Sequence, residues 1–303
     1  MPKETRTRTS AYNAGAAPTG AGGGLGQHFL KNVAVVQNIV SKAGIKPTDT
    51  VLEIGPGNGI MTIELLRLAK KVIAVELDPR MVAEVQKRVQ GTEYAANLKI
   101  IHGDILKVEL PYFDVCVANV PYQVSSGIVF KLLGHRPFFR CAVLMFQEEF
   151  AQRLSAKPND AMYCRLSVNT QLLSRVQQVL KVSKKNFNPP PKVESRVVRI
   201  EPLNPPPPVN FPEWDGFIRL CFERKNKTLG AIFRQKKLVA QLKENYVTFC
   251  TLNNKIPDER DMKQVIEEVL TSTNFSEQRA SKMSLDDFLT LLNAFLDRDI
   301  HFA

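Results

Sequence analysis

No apolar run in this chain of 303 residues approaches the roughly 18 residues that a membrane-spanning helix needs. No transmembrane segment and no membrane partner are therefore expected. Cysteine is scarce: five residues, an odd number, widely spaced and without a C-x-x-C pair. That argues against both a disulfide framework and a zinc site, and no metal is expected. Most of Cys116, Cys141, Cys164, Cys221 and Cys250 lie in apolar runs, as small core residues do, which fits a reducing compartment. The first residues lack the apolar stretch of a secretory signal. Their Arg, Ser and Thr content is shared with mitochondrial presequences, but Glu4 comes early and an amphipathic apolar side is missing. Residues 1–24 are read as a flexible basic tail, because Gly, Ala and Thr give them nothing to pack with.

Acidic residues are also in deficit. Against 41 Lys and Arg stand 30 Asp and Glu, a formal net charge of +11, which points to an anionic partner. The excess is concentrated. Residues 181–200 carry Lys181, Lys184, Lys185, Lys192, Arg196 and Arg199 against Glu194, and residues 219–237 carry Arg219, Arg224, Lys225, Lys227, Arg234, Lys236 and Lys237 against Glu223. A charge run alone usually marks a solvated face. Here Phe187, Phe217, Phe222 and Phe233 interleave with the cations, which favours nucleic acid.

Hydrophobic residues make up 44% of the chain and charged ones 23%, the composition of a globular protein, and the length suggests about two domains. Short apolar runs alternate with helical patterns: "TVLEIG", "KVIAVELD", "LKIIHGDIL", "FDVCVANV" and "RCAVLMFQ" read as strands, "VAVVQNIVSKAGI", "IMTIELLRLA", "PRMVAEVQKRV", "SGIVFKLL" and "EEFAQRLSA" as helices. That alternation predicts an α/β fold with a mostly parallel sheet covered on both faces. "RVQQVLKVSKKNF" and "SRVVRIEPL" follow without an intervening helix and predict an antiparallel hairpin at one edge. The domain reading is a basic tail over 1–24, an α/β domain over 25–203, a stiff proline-rich linker over 204–214 and a small all-α domain over 215–303. In the last, "FIRLCFERKNKTLGAIFRQ", "DMKQVIEEVLTST" and "SLDDFLTLLNAFL" show helical periodicity.

"LEIGPGNGIMT" sets Gly55, Gly57 and Gly59 between a strand and a helix, where backbone can approach a ligand closely. The spacing is G-x-G-x-G; the dinucleotide fingerprint would need glycine where Ile60 stands. Glu53, two residues ahead, suits an ammonium group better than a pyrophosphate, which favours S-adenosyl-L-methionine. Glu76 ends the next strand, where a carboxylate can accept from both ribose hydroxyls. Asp104 follows the third strand and can accept from an adenine amino group. Three acids at successive strand ends surround one crevice, where open α/β sheets bind ligands.

The fourth strand ends in Asn119, Val120, Pro121 and Tyr122. A turn of this composition is ordinary after a strand. Beside a methyl donor it acquires a chemical reading. Asn119 Oδ1 can accept from an exocyclic amino group while a backbone carbonyl takes the second proton, freeing a nitrogen lone pair otherwise delocalised into a purine ring. Pro121 braces the turn. Tyr122 offers a stacking face, worth about 1–3 kcal/mol per base in single-stranded sites.

"LGQHFLKN", "VLEIGPGNGIMT", "VIAVELDP", "GDIL", "NVPYQVSS", "VLMFQEEFAQRLSA" and "NFNPPPKVES" together resemble, in order, the motifs of the small-subunit rRNA adenine N6,N6-dimethyltransferases. The likeness runs from about Leu25 to the C-terminus. "CFERKNKTLGAIF" and "LTSTNFSEQRASKMSLDDFL" resemble the eukaryotic nuclear-encoded branch, which acts on 18S rRNA. The resemblance implies a Rossmann-like fold and an S-adenosyl-L-methionine cofactor. It implies cofactor contacts at Gln27, His28, Leu30, Gly55, Glu76, Asp104 and Asn119, and an aromatic at Phe187 that closes on the target base opposite Tyr122. It further implies two adjacent dimethyladenosines near the 3′ end of small-subunit rRNA, a role in ribosome assembly within pre-ribosomal particles, and a nucleolar location. Nothing in the sequence demands a dimer, and a monomer is expected. A DNA adenine or glutamine methyltransferase would share the Asn-x-Pro-Tyr logic but leaves the basic helical domain unexplained. A non-catalytic RNA-binding assembly factor on the same scaffold is the other alternative.

Overall fold

The computed structural model describes residues 28–303; the expected tail and Gln27 lie outside them. In chain order the strands are β1 Phe29–Leu30, β2 Thr50–Ile54, β3 Lys71–Glu76, β4 Leu98–His102, β5 Val115–Asn119, β6 Cys141–Gln147, β7 Ser174–Val182, β8 Phe187–Asn188 and β9 Ser195–Pro202. The α-helices are α1 Val33–Ser41, α2 Ile60–Leu66, α3 Pro79–Val89, α4 Ser125–Leu133, α5 Glu148–Ser155, α6 Arg165–Leu173, α7 Phe211–Glu223, α8 Leu229–Phe233, α9 Lys236–Leu252, α10 Met262–Ser272 and α11 Leu285–Leu296.

Seven strands form one sheet in the order β4-β3-β2-β5-β6-β9-β7. Neighbours from β4 through β6 are parallel. The expected antiparallel hairpin forms one edge; β9 is the strand that reverses, and β7 outside it is antiparallel to β9. The parallel strands read as continuous apolar runs because both faces are covered. Leu52, Ile54, Cys116, Ala118, Leu144 and Phe146 pack on one side with α4 and α5 residues. Val51, Val115, Val117, Val143 and Met145 pack on the other with α1 and α2 residues. The chain leaves β2 toward β3 on one side, while β5 pairs with β2 on the other. The crevice beyond the C-terminal ends of β2 and β5 is therefore the topological switch point.

No helix among the described residues is long and apolar enough to cross a membrane. The helical part has its own core, centred on Trp214, Phe217, Phe233, Phe288 and Phe295, but it also takes in Tyr163, Val168 and Leu172 from the α/β part. The stretch read as linker over 204–214 is shorter than expected: α7 begins at Phe211, its first turn capped by Asn210, because Trp214 is fully buried and the helix starts early enough to seat it. The periodicity read across "FIRLCFERKNKTLGAIFRQ" belongs to two helices, separated by the turn that ends in the Thr228 cap of α8.

Candidate active site

The glycine loop begins at the end of β2. Gly55 and Gly57 take φ of +65° and +55°, a left-handed backbone that side chains disfavour. Gly57 has a second reason to be glycine: a Cβ there would lie 2.8 Å from the Phe29 ring. Residues 28–30 therefore lie across the loop. Gly55 N–H donates to Val75 O at 2.9 Å, tying the loop to the end of β3.

The three strand-end acids differ in environment. Glu53 is 1% exposed, and its Oε2 has no hydrogen-bond partner among the described residues. Burial pushes its carboxyl up to about 8; the Thr62 hydroxyl opposes the rise, and the nearby charge of Glu76 adds to it. Glu76 accepts from Gly57 N–H at 3.2 Å and from Asp78 N–H at 2.9 Å. Asp104 accepts from Leu106 N–H at 2.9 Å and lies 4.0 Å from Lys107 Nζ.

Asn119 closes β5 across from the glycine loop; its carbonyl oxygen would be 3.9 Å from a Cβ on Gly55, as would the Pro121 ring. Its side-chain amide donates to His28 O at 3.0 Å. That commits the Nδ2 end and leaves Oδ1 as the acceptor. Pro121 takes φ of −60° ahead of a single 3₁₀ turn over Tyr122–Val124, closed by Ser125 Oγ donating to Tyr122 O at 3.0 Å. Tyr122 is half-buried, and its hydroxyl lies 2.9 Å from Ser195 Oγ. Burial raises the Tyr122 pKa and the Ser195 bond opposes that shift, so the phenol is neutral at physiological pH. The His28 ring stands 6.3 Å from the Tyr122 ring, tilted by 30°.

The structure thus brings His28, Glu53, Gly55, Gly57, Glu76, Asn119, Pro121 and Tyr122 around the switch point, with Asp104 at the end of the neighbouring β4. The side chains of two further expected residues are buried. Leu30 is 5% exposed and packs in the core on the α1 side. Phe187 is 1% exposed in the same cluster, its strand paired with β1. In this structure the Phe187 side chain lies among core residues, next to the Phe29–Leu30 strand that pairs with its own. The interleaved aromatics of the second basic cluster are also core: Phe217 and Phe233 are fully buried. Sequence reasoning missed Ser195 and the His28 carbonyl. Ser195 lies inside the "NFNPPPKVES" motif, but its contact with Tyr122 joins residues 73 positions apart, which no local pattern carries.

The donor and acceptor set fits S-adenosyl-L-methionine. A buried carboxyl oxygen without a partner suits an ammonium, and a carboxylate at the end of β3 suits vicinal hydroxyls. A glycine loop leaves room for the chain between them.

The family model described as "Ribosomal RNA adenine dimethylase" matches residues 23–274. A "Probable dimethyladenosine transferase" of Dictyostelium discoideum is 61% identical over 280 residues, 91% of this chain and 89% of that protein. One of the same description from Caenorhabditis elegans is 55% identical over 301 residues, 99% of this chain and 97% of that protein. Among solved structures, a dimethyladenosine transferase from Plasmodium falciparum superposes with a TM-score of 0.87 at 45% identity, covering 91% of this chain and all of that one. The 23S rRNA methyltransferase ErmE superposes with a TM-score of 0.63 at 25% identity, covering 88% of this chain and 98% of that one.

Proposed function

This chain belongs to the ribosomal RNA adenine dimethylase family, and from that membership we propose that it transfers methyl groups from S-adenosyl-L-methionine to N6 of two adjacent adenosines near the 3′ end of 18S rRNA. Methyl transfer to rRNA adenosines is the activity of the family, and the methyltransferase fold and the family together imply S-adenosyl-L-methionine as donor. The 18S target, action within pre-ribosomal particles, a role in small-subunit biogenesis, a monomeric state and a nuclear, nucleolar location are parts of the proposal. The C-terminal motifs and the basic charge support the 18S target, and the remaining parts rest on the family resemblance alone.

The observation that carries the chemistry is the hydrogen bond from Asn119 Nδ2 to His28 O. It turns Oδ1 toward the role of acceptor at the end of β5. An adenine amino group donating to that oxygen has its nitrogen lone pair drawn out of the ring. Pro121 holds the turn, and Tyr122, pinned by Ser195, supplies the face against which the base is oriented. When bound, S-adenosyl-L-methionine supplies an electrophilic methyl on a sulfonium, so these residues need only orient and polarise, and positioning carries most of the rate. Glu53 would meet the ammonium, Glu76 the ribose hydroxyls and Asp104 the adenine amine of the donor.

The test is methyl incorporation into small-subunit rRNA, counted by mass spectrometry. Subunits from cells lacking this protein should gain four methyl groups, two on each of two adenosines, the count the proposal itself requires. Asn119→Ala should abolish incorporation while subunit binding persists. Incorporation at unchanged rate by that variant would remove Asn119 from the chemistry. Absence of any incorporation by the native protein would favour the non-catalytic assembly factor.

A further inference from the structure

We infer that Asn186, together with Asn32, is a positioning residue for methyl transfer: the pair locks the strand that carries His28, and through the His28 carbonyl it fixes which end of the Asn119 amide faces the substrate. The inference rests on the proposed role of Asn119.

The connection is continuous in the structure. Asn186 accepts twice from the segment leading out of β1, through its carbonyl from Lys31 N–H at 2.9 Å and through Oδ1 from Asn32 Nδ2 at 2.9 Å. Its own Nδ2 donates to Ser183 O at 3.1 Å, which holds the side chain in that orientation. Asn32 is held as well, because its Oδ1 caps α1 by accepting from Ala34 N–H at 3.1 Å. The next residues pair as a two-stranded ribbon, Leu30 with Phe187 and Phe29 with Asn188. At its far end the His28 ring Nδ1 lies 2.9 Å from Pro189 O, and His28 O accepts from Asn119.

A ribbon of two residues per strand has little intrinsic stability, so its placement depends on what anchors it. The Asn32–Asn186 bridge is a side-chain anchor at the end remote from the reacting groups. An asparagine amide carries an acceptor and a donor at nearly the same place. Facing the substrate with Oδ1, Asn119 draws on the hydrogens of the adenine nitrogen. Facing it with Nδ2, it opposes those hydrogens with its own. The His28 carbonyl excludes the second arrangement, and the anchor keeps that carbonyl in place.

The test compares Asn186→Leu, Asn32→Ser and Asn186→Asp in the full-length protein. Serine still caps α1 but lacks the amide donor. Asn186→Asp keeps an acceptor for Asn32 Nδ2. Asn186→Leu and Asn32→Ser should each lower kcat about 10- to 100-fold, the range expected when a reacting group is displaced by an ångström. KM for RNA should move by about twofold or less, the split expected for an interaction made in the transition state. Asn186→Asp, which keeps the acceptor for Asn32 but loses the donor to Ser183 O, should lose less than Asn186→Leu, and Asn186→Leu with Asn32→Ser should be no worse than either alone. In ¹⁵N-labelled protein the Asn119 side-chain NH₂ should exchange faster in both damaging variants. If Asn186→Leu fails to fold, Asn32→Ser carries the test alone. Unchanged kcat in folded variants, with Asn119→Ala inactive, overturns the positioning role and leaves the proposed function standing. An active Asn119→Ala removes the proposed chemistry itself.

Discussion

At the residue scale, Glu53 shows how far the sequence could be read and where it stopped. A carboxylate two residues ahead of G-x-G-x-G was visible as a partner for an ammonium. Its burial was not, because that depends on α2 closing over the end of β2. The folded-state pKa lies near 8 against an ordinary value of 4.5, so the native protein holds the proton more tightly than the unfolded chain. Stability from this source is fully present below about pH 4.5, declines as pH rises, and is lost once pH passes about 8. Glu53→Gln cannot titrate. Denaturant melts at several pH values should show its stability rising relative to the native protein between pH 5 and 8, with no further divergence above. A constant difference would mean that Glu53 does not titrate in that window. Ser195 poses the opposite case, since nothing in the sequence singles it out. It is fully buried, and its hydroxyl is the partner of the Tyr122 phenol. Ser195→Ala should cost about 1 kcal/mol of stability from the lost hydrogen bond. It should lower methylation several-fold with donor affinity unchanged in calorimetry; an equal loss of donor affinity would place Tyr122 at the cofactor instead.

At the element scale, the parallel strands were legible because burial on both faces writes an unbroken apolar run, and α3 because Asp78 and Pro79 mark its start. Helix α6 was illegible for a physical reason: its buried residues include Ser167, Asn169 and Thr170, so it has no apolar stripe. Three of its polar side chains satisfy other elements. Ser167 donates to Arg153 O, Gln171 to Ala156 O, and Asn169 Oδ1 accepts from Trp214 Nε1 at 3.0 Å. Arg165 pairs with Asp215 on α7, which Asn169 Nδ2 also reaches. This helix therefore joins α5 to the helical part through hydrogen bonds that a hydropathy pattern cannot display. Asn169→Leu would leave the buried Trp214 indole N–H without an acceptor, a loss of about 1–3 kcal/mol. Thermal unfolding should report that loss, and hydrogen exchange should show it concentrated in α6 and α7. A loss below about 0.5 kcal/mol, the size of an ordinary surface substitution, would mean that water replaces the bond.

At the scale of the whole molecule, the net charge of +11 anticipated an anionic partner, but it did not say which cations are free to meet it. In the first cluster Arg196 and Lys181 share Glu148, at 2.8 and 3.7 Å, and Arg199 pairs with Glu201 at 2.8 Å. In the second, Arg234 pairs with Glu267, while Lys225 Nζ donates to Ala161 O at 2.9 Å and so fastens the helical part to the loop before α6. Lys225 is therefore a structural residue first, and reversing its charge would confound RNA binding with stability. Among the described residues, Lys184, Lys185 and Lys192 are exposed and form no salt bridge. In the sequence they flank Phe187 and Ser195. If the RNA strand passes there, its phosphates release counterions to these three side chains. Each such contact contributes about 0.7–0.9 to the slope of log affinity against log salt. Replacing all three with Gln should weaken RNA binding and flatten that slope by about 2 to 3. Arg196→Gln, which breaks a pair already made within the protein, should leave the slope unchanged and lower the melting temperature. Equal slopes for the triple variant and the native protein would mean that these lysines are only solvated, which leaves the second cluster, with Arg219, Arg224, Lys227, Lys236 and Lys237 also exposed, as the next surface to test.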